Sequence, residues 1–123
     1  MGRMAAGFAN PAIEAGLAEL DGGTIEFQTA ASAEVATCTF SNPAISGSAS
    51  AGMATCGAIT KDDAAAGGGP ITKAVFKTSG ATAIADATAA ESGAEITLDN
   101  DSPGAGVDFY VTSLTFAFPV VSL

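Results

Sequence analysis

Almost every apolar run in this chain is cut off within five to twelve residues by a cluster of Gly, Pro, Asn, Asp or Ser. The breaks fall at Asp21-Gly22-Gly23, Ser41-Asn42-Pro43, Ser46 to Ser50, Asp62 to Pro70, Glu91-Ser92-Gly93 and Asp99 to Gly106. Between them the residues alternate or are β-branched. TIEFQTA (24–30) puts Ile25 and Phe27 on one face, and EVATCTF (34–40) does the same with Ala36, Cys38 and Phe40. AGMATCGAIT (51–60), ITKAVFKT (71–78), ATAIAD (81–86), AEITL (94–98) and VDFYVTSLTFAF (107–118) continue the series. Short strands with this punctuation predict an all-β fold, an antiparallel β-sandwich of jelly-roll or immunoglobulin-like type. The last run is the longest and is apolar on both faces, which suits a central strand or one that meets a neighbouring chain. A single helix is expected, PAIEAGLAEL (11–20), capped by Asn10, with Pro11 in its first turn and Ile13, Leu17 and Leu20 on one face. Gly16 weakens it, and Asp21-Gly22-Gly23 stops it.

A chain of 123 residues is one domain by length. It is expected to span 1–123, with arms at about 1–11 and 118–123. Its composition is 48% hydrophobic, but alanine dominates that share. Alanine buries little area, and burial yields only about 25 cal/mol per Å². The core should therefore be thin, and assembly with partners should add to it. The formal net charge of −9 argues against nucleic acid and against anionic membranes as partners, because phosphate contacts need Lys and Arg. The acids are scattered along the chain, as on a solvated, self-repelling surface. No run approaches the roughly 20 apolar residues of a spanning helix. Asn10, Pro11 and Glu14 interrupt the N-terminal apolar stretch, so no signal peptide is expected.

Chemical motifs are few. AAAGGGPITKAVFKT (64–78) has three glycines and a lysine four residues on. A phosphate-binding loop needs a helix after the glycines, so that amides face the anion. Here Pro70 removes an amide, and ITKAVFKT alternates like a strand, so an inter-strand loop is expected. The chain has no histidine, which excludes Ser-His and Cys-His dyads and imidazole ligands. Cys38 and Cys56 are either buried thiols or a cross-strand disulfide. Asp99, Asn100 and Asp101 read as a turn, since calcium takes six or more oxygens and the EF-hand spacing is absent. Asp62-Asp63 has no apparent cleft to serve as a glycosidase carboxylate pair. No catalysis and no cofactor are expected.

The order of these motifs resembles a group of small bacteriophage virion structural proteins. That group opens with a short helix, Leu-Asp-Gly-Gly and a first strand, matched here by LAELDGGTIEFQT. EVATCTFSNPAI, MATCGAITKDDAAAGG and ITKAVFKTSGATAIADATA match its middle strands. ESGAEITLDND and VDFYVTSLTFAFPV match its closing pattern. The similarity covers about residues 12–120. The chain departs from the pattern at GGGPITKAVF, and it lacks a Tyr-Ser-Gly-x-x-Pro extension after Phe27-Gln28-Thr29.

The resemblance implies a non-enzymatic virion protein, foremost a capsid decoration (cement) protein on the outer capsid surface. Its partners would be the major capsid protein and itself, as a homotrimer. A neck or tail component is the alternative, and a carbohydrate- or calcium-binding surface module is a third reading. The lack of tryptophan and the single tyrosine weaken a sugar site. The apolar ends supply expected assembly contacts: Phe8, Pro11 and Ile13 at one end, and Phe118, Pro119, Val120, Val121 and Leu123 at the other. Pro119 ends the last strand and re-aims the residues after it.

Overall fold

The computed structural model describes residues 5–111 and 114–117. A helix, α1 (Ala6–Ala18), precedes eight short strands: β1 (Thr24–Gln28), β2 (Glu34–Phe40), β3 (Met53–Thr55), β4 (Ile59–Thr60), β5 (Lys73–Lys77), β6 (Ala83–Ala90), β7 (Ile96–Thr97) and β8 (Thr115–Ala117). Six strands form one mixed sheet in the order β4-β2-β1-β5-β6-β7, and β3 pairs with β8 in a second, small sheet. The fold is mostly β with one short helix, as the punctuation predicts.

Alternation works best at the centre of the large sheet. In β1, Ile25 and Phe27 are buried, and on β5 their partners Phe76 and Ala74 are buried too. β2 spans the predicted residues, with Ala36, Cys38 and Phe40 inward. It also buries Val35. The register explains this: Phe27 pairs with Ala36 and Gln28 with Glu34, so Val35 is the extra residue of a bulge. A bulge re-aims a side chain, and here two successive residues point inward. A second bulge, between the Phe76–Ala85 and Lys77–Ala83 pairs, leaves Ile84 unopposed, and it is 45% exposed.

The core holds more large side chains than the alanine-rich composition predicts, since 12 of the 20 residues in the buried cluster are Ile, Leu, Val or Phe. Phe27 meets Phe109 edge-on at 4.9 Å between ring centroids. Phe76 stacks on Phe40 at 6.3 Å and receives the edge of Phe116 from β8 at 5.2 Å. Ala36, Ala74 and Ala89 belong to the same buried cluster.

The helix differs from the expected 11–20. It begins at Ala6, with Ala5 in the cap position and no side-chain cap bond, and Pro11 lies inside it. Ala9, Ile13 and Leu17 form one buried stripe, and burying Ala9 extends the helix toward the N-terminus. Packing of an apolar face outweighs the lost proline donor. Pro11 sits on the exposed side, where its ring is accommodated. Asn10 is therefore not a cap. Its Oδ1 accepts the Gly52 N–H at 2.7 Å. Glu14 Oε2 accepts the Ala49 N–H at 2.6 Å, and Asp21 Oδ1 accepts the Ala44 N–H at 2.8 Å. Three side chains on or just after the helix thus hold the 44–52 loop.

Leu-Asp-Gly-Gly (20–23) is the corner between α1 and β1, and each residue has its own task. Leu20 is buried. Asp21 holds the loop. Gly22 takes φ +67, a left-handed conformation that glycine adopts without steric cost. Gly23 lies so close to β5 that a Cβ would sit 2.2 Å from the carbonyl oxygen of Lys77.

Two expected strands and the direction of one pairing are corrected. Residues 51–60 split into β3 and β4, which belong to different sheets, because Gly57 turns in against Ser41 and donates its N–H to the Ala44 carbonyl. Residues 107–118 are not one strand. Phe109 bridges to Asp62, whereas Thr115–Ala117 pairs with β3, so the two apolar halves satisfy different partners. Residues 112, 113 and 118 lie outside the described residues. The sheet is also not wholly antiparallel, since β7 runs parallel to β6. A hairpin is replaced by a tight return at Gly93 (φ +73), and side chains stand in for ladder bonds. The Thr88 N–H donates to Glu95 Oε1 and the Glu95 N–H to Thr88 Oγ1, both at 3.0 Å.

Candidate functional site

The triple-glycine loop brings two backbones together. A Cβ on Gly67 (φ +75) would lie 2.8 Å from the Ala105 nitrogen, and one on Gly69 would lie 2.7 Å from the Asp101 carbonyl oxygen. The Ile71 N–H donates to that same carbonyl at 2.7 Å. The strand β5 follows, as expected, and its lysines are engaged away from the loop. Lys73 Nζ donates to Ser32 Oγ at 2.6 Å and Lys77 Nζ to Glu26 Oε1 at 2.8 Å.

The loop carboxylates are brackets for backbone. Asp62 accepts the Thr37 N–H at 2.8 Å and the Ala64 N–H at 3.0 Å, while its own backbone exchanges two bonds with Phe109. It ties β2 to residues 107–109, a role that the Asp62-Asp63 pair did not announce in sequence. Asn100 Oδ1 accepts the Ser102 N–H at 2.9 Å and forms the expected turn. Among the described residues, no three Cys, Asp or Glu side chains gather in a metal-holding group.

Cys38 and Cys56 are both buried and both free thiols. Burial pushes the Cys56 thiol up to about 11 and raises that of Cys38 as well. Cys38 Sγ also contacts the Phe109 carbonyl at 3.5 Å. Thiolate is the reactive form, so these groups behave as small hydrophobes.

The expected assembly contacts separate. Phe8 is 65% exposed, and Pro11 is exposed beside it on the helix. Ile13 is only 2% exposed and packs into the chain's own core. Phe118, Pro119, Val120, Val121 and Leu123 lie outside the described residues.

Among the described residues, a groove of about 530 Å³ lies between β7 with its flanks and residues 107–111 and 114–115. Ile96, Leu98 and Phe109 are nearly covered there, whereas Val107 (46% exposed) and Tyr110 (65% exposed) stand at the opening. Glu95, Asp99 and Asp108 make the border acidic, and Lys61 pairs with Asp108 at 2.6 Å. In the sequence, the apolar character of both faces of 107–118 was the only sign of this groove.

On the large sheet's polar face, Glu26 is gripped by Lys77 and Gln28. The Lys77 ammonium holds the Glu26 carboxyl below its usual range; burial opposes this, and the Gln28 amide adds to the lowering. A depressed carboxylate contributes stability that is present above the unfolded value of about 4.3 and is lost as pH falls through the folded value. Wild type should therefore exceed Glu26→Gln in urea midpoint at neutral pH, with the difference shrinking below about pH 4. A difference that stays constant down to about pH 3 would remove the ion pair as its source.

Comparisons of the chain with protein-family models, with curated proteins and with solved structures find no match in any of the three. Among the described residues, no helix is long and apolar enough to cross a membrane.

Proposed function

We propose that this chain is a non-enzymatic structural protein of a bacteriophage particle, a capsid decoration protein that clips adjacent major capsid subunits together as a homotrimer. What carries the reading is the resemblance of the motif order over about residues 12–120 to that of small virion proteins. Its Leu-Asp-Gly-Gly element stands at the corner that joins α1 to β1, with Gly23 against the Lys77 carbonyl of β5, and each residue there has a distinct steric or hydrogen-bonding task. The acidic surface fits a particle exterior that avoids clumping and non-specific nucleic acid. Apolar side chains left outward, Phe8 on α1 and Tyr110 at the groove, fit contacts completed by neighbours. In this reading the two sheets are the layers of a sandwich, with Phe116 of the small sheet against Phe76 of the large one as the contact between them.

The test is copy number in purified particles, by quantitative protein staining. A capsid decoration protein is expected at roughly hundreds of copies, in step with a shell that repeats by symmetry. A handful to dozens would move the protein to the neck or tail. Absence from the particle would end the virion reading.

A further inference from the structure

We propose that the groove between β7 and residues 107–111 docks a basic segment of a different protein, with the aliphatic stem of a Lys or Arg laid against Tyr110 and Val107 and its charge met by Asp108 and Asp99. The inference rests on the part of the reading above that has this chain work by attachment to another protein, not on the part that places it in a phage particle.

The chain itself shows this mode of recognition once. The bridge between Asp62 and Phe109 is antiparallel, so Lys61 stands opposite Tyr110. Lys61 Nζ donates to Asp108 Oδ2 at 2.6 Å, across the diagonal of that bridge. Phe109 is buried, whereas Asp108 and Tyr110, two residues apart, are exposed, as side chains on one face of an extended stretch are. An aromatic ring therefore flanks an acid that already holds an ammonium. Long cationic side chains lay their stems on apolar surface and bring their charge to acids and ring faces. The Lys61–Asp108 pair is about half exposed on both sides, at 49% and 48%, so an incoming cation exchanges with Lys61 at little cost. Asp99, exposed on the β7 side of the groove, offers a second carboxylate.

Charge complementarity selects the occupant. Among the described lining residues the charged groups are Glu95, Asp99 and Asp108, all acids, and such a border draws and orients an opposite charge. A second copy is a poor source of that charge. It carries 13 acids against 4 bases, and Lys61, Lys73 and Lys77 each donate to a side chain of their own chain. The cation therefore comes from another protein. Val107, 46% exposed, and Tyr110, 65% exposed, add apolar surface from which a hydrated metal ion gains nothing and on which an aliphatic stem packs. A segment that alternates basic and aliphatic residues meets both the acids and this surface.

The test titrates the full-length protein against a fluorescein-labelled Lys-Val-Lys-Val-Lys peptide, read by anisotropy at about 0.15 M salt, where charges beyond about 8 Å are screened. Saturable binding is expected. The D99N/D108N variant should weaken it about tenfold and Y110A about two- to fivefold. E19Q/D86N removes the same charge at exposed positions outside the groove and should change it by less than about twofold. K61Q releases Asp108 and should tighten binding about two- to fivefold, whereas K73Q makes the same change in net charge and should not. All the substituted side chains are exposed or half-buried, and far-UV circular dichroism checks that each variant is folded. Equal weakening by the two double variants would overturn the proposal in favour of diffuse attraction to an acidic surface. Spermine binding as tightly as the peptide would overturn it in favour of a polyamine. No saturation up to about 1 mM peptide would also overturn it. None of these outcomes changes the copy number in particles, which tests the virion reading separately.

Discussion

Gly23→Ala is expected to destabilise the domain by about 3 kcal/mol or more, at the upper end for forced overpacking. The added Cβ would lie 2.2 Å from the Lys77 carbonyl oxygen and 3.1 Å from that of Leu20. Both contacts are with backbone, so no side-chain rotation relieves them. Relief requires β1 to move off β5 where Thr24 pairs with Lys77, in the middle of the large sheet. Thermal unfolding followed by far-UV circular dichroism should show a fall on the order of 10 °C. Gly16→Ala is the control. It lies on the exposed side of α1 with nothing within 4 Å of its new methyl, and it should gain about 0.5–1 kcal/mol from helix propensity. Equal behaviour of the two variants would mean that the close approach at Gly23 is not what matters there.

Phe27→Ala should cost about 3–5 kcal/mol. The ring is fully buried, sits at the centre of the sheet and meets Phe109 edge-on. Its cross-strand partners, Ala36 on β2 and Ala74 on β5, are too short to fill the space it leaves. Total stability of domains of this kind is roughly 5–15 kcal/mol, so a large unfolded fraction at 37 °C is the expected phenotype. Urea titration should show the midpoint falling by far more than in Phe27→Leu, which keeps most of the apolar volume. A midpoint within error of wild type would show that the ring at 27 is not the keystone of the core.

Sequence periodicity locates the central strands well because their register is enforced by burial. Ile25, Phe27, Cys38, Phe40 and Phe76 alternate with solvent-facing residues, and a slip by one residue would invert the whole set. It does less well wherever side chains replace backbone partners. The parallel return of β7 depends on Thr88 and Glu95 exchanging bonds across the sheet, and nothing in AEITL on its own announces that. Asn10 has the chemistry of a helix cap, yet it serves a loop amide 42 residues away. The bulge at Val35 is hidden in a run whose every residue is compatible with a plain strand. The groove is legible only in part. Val107, Phe109 and Tyr110 were visible as apolar on two faces, but their separation from Leu114 and Phe116 depends on Asp62, whose capture of Phe109 is a tertiary event.

The grip of Asn10, Glu14 and Asp21 on the amides of Gly52, Ala49 and Ala44 runs in opposite chain directions, like teeth of a zip. Adding one residue between 10 and 14 would rotate later helical positions by about 100° and uncouple the two rows. Length variation among natural versions of this domain should therefore avoid both segments together and collect instead at the 29–33 and 78–82 turns, which close on themselves. A library of single-residue insertions screened for soluble expression would trace that pattern directly.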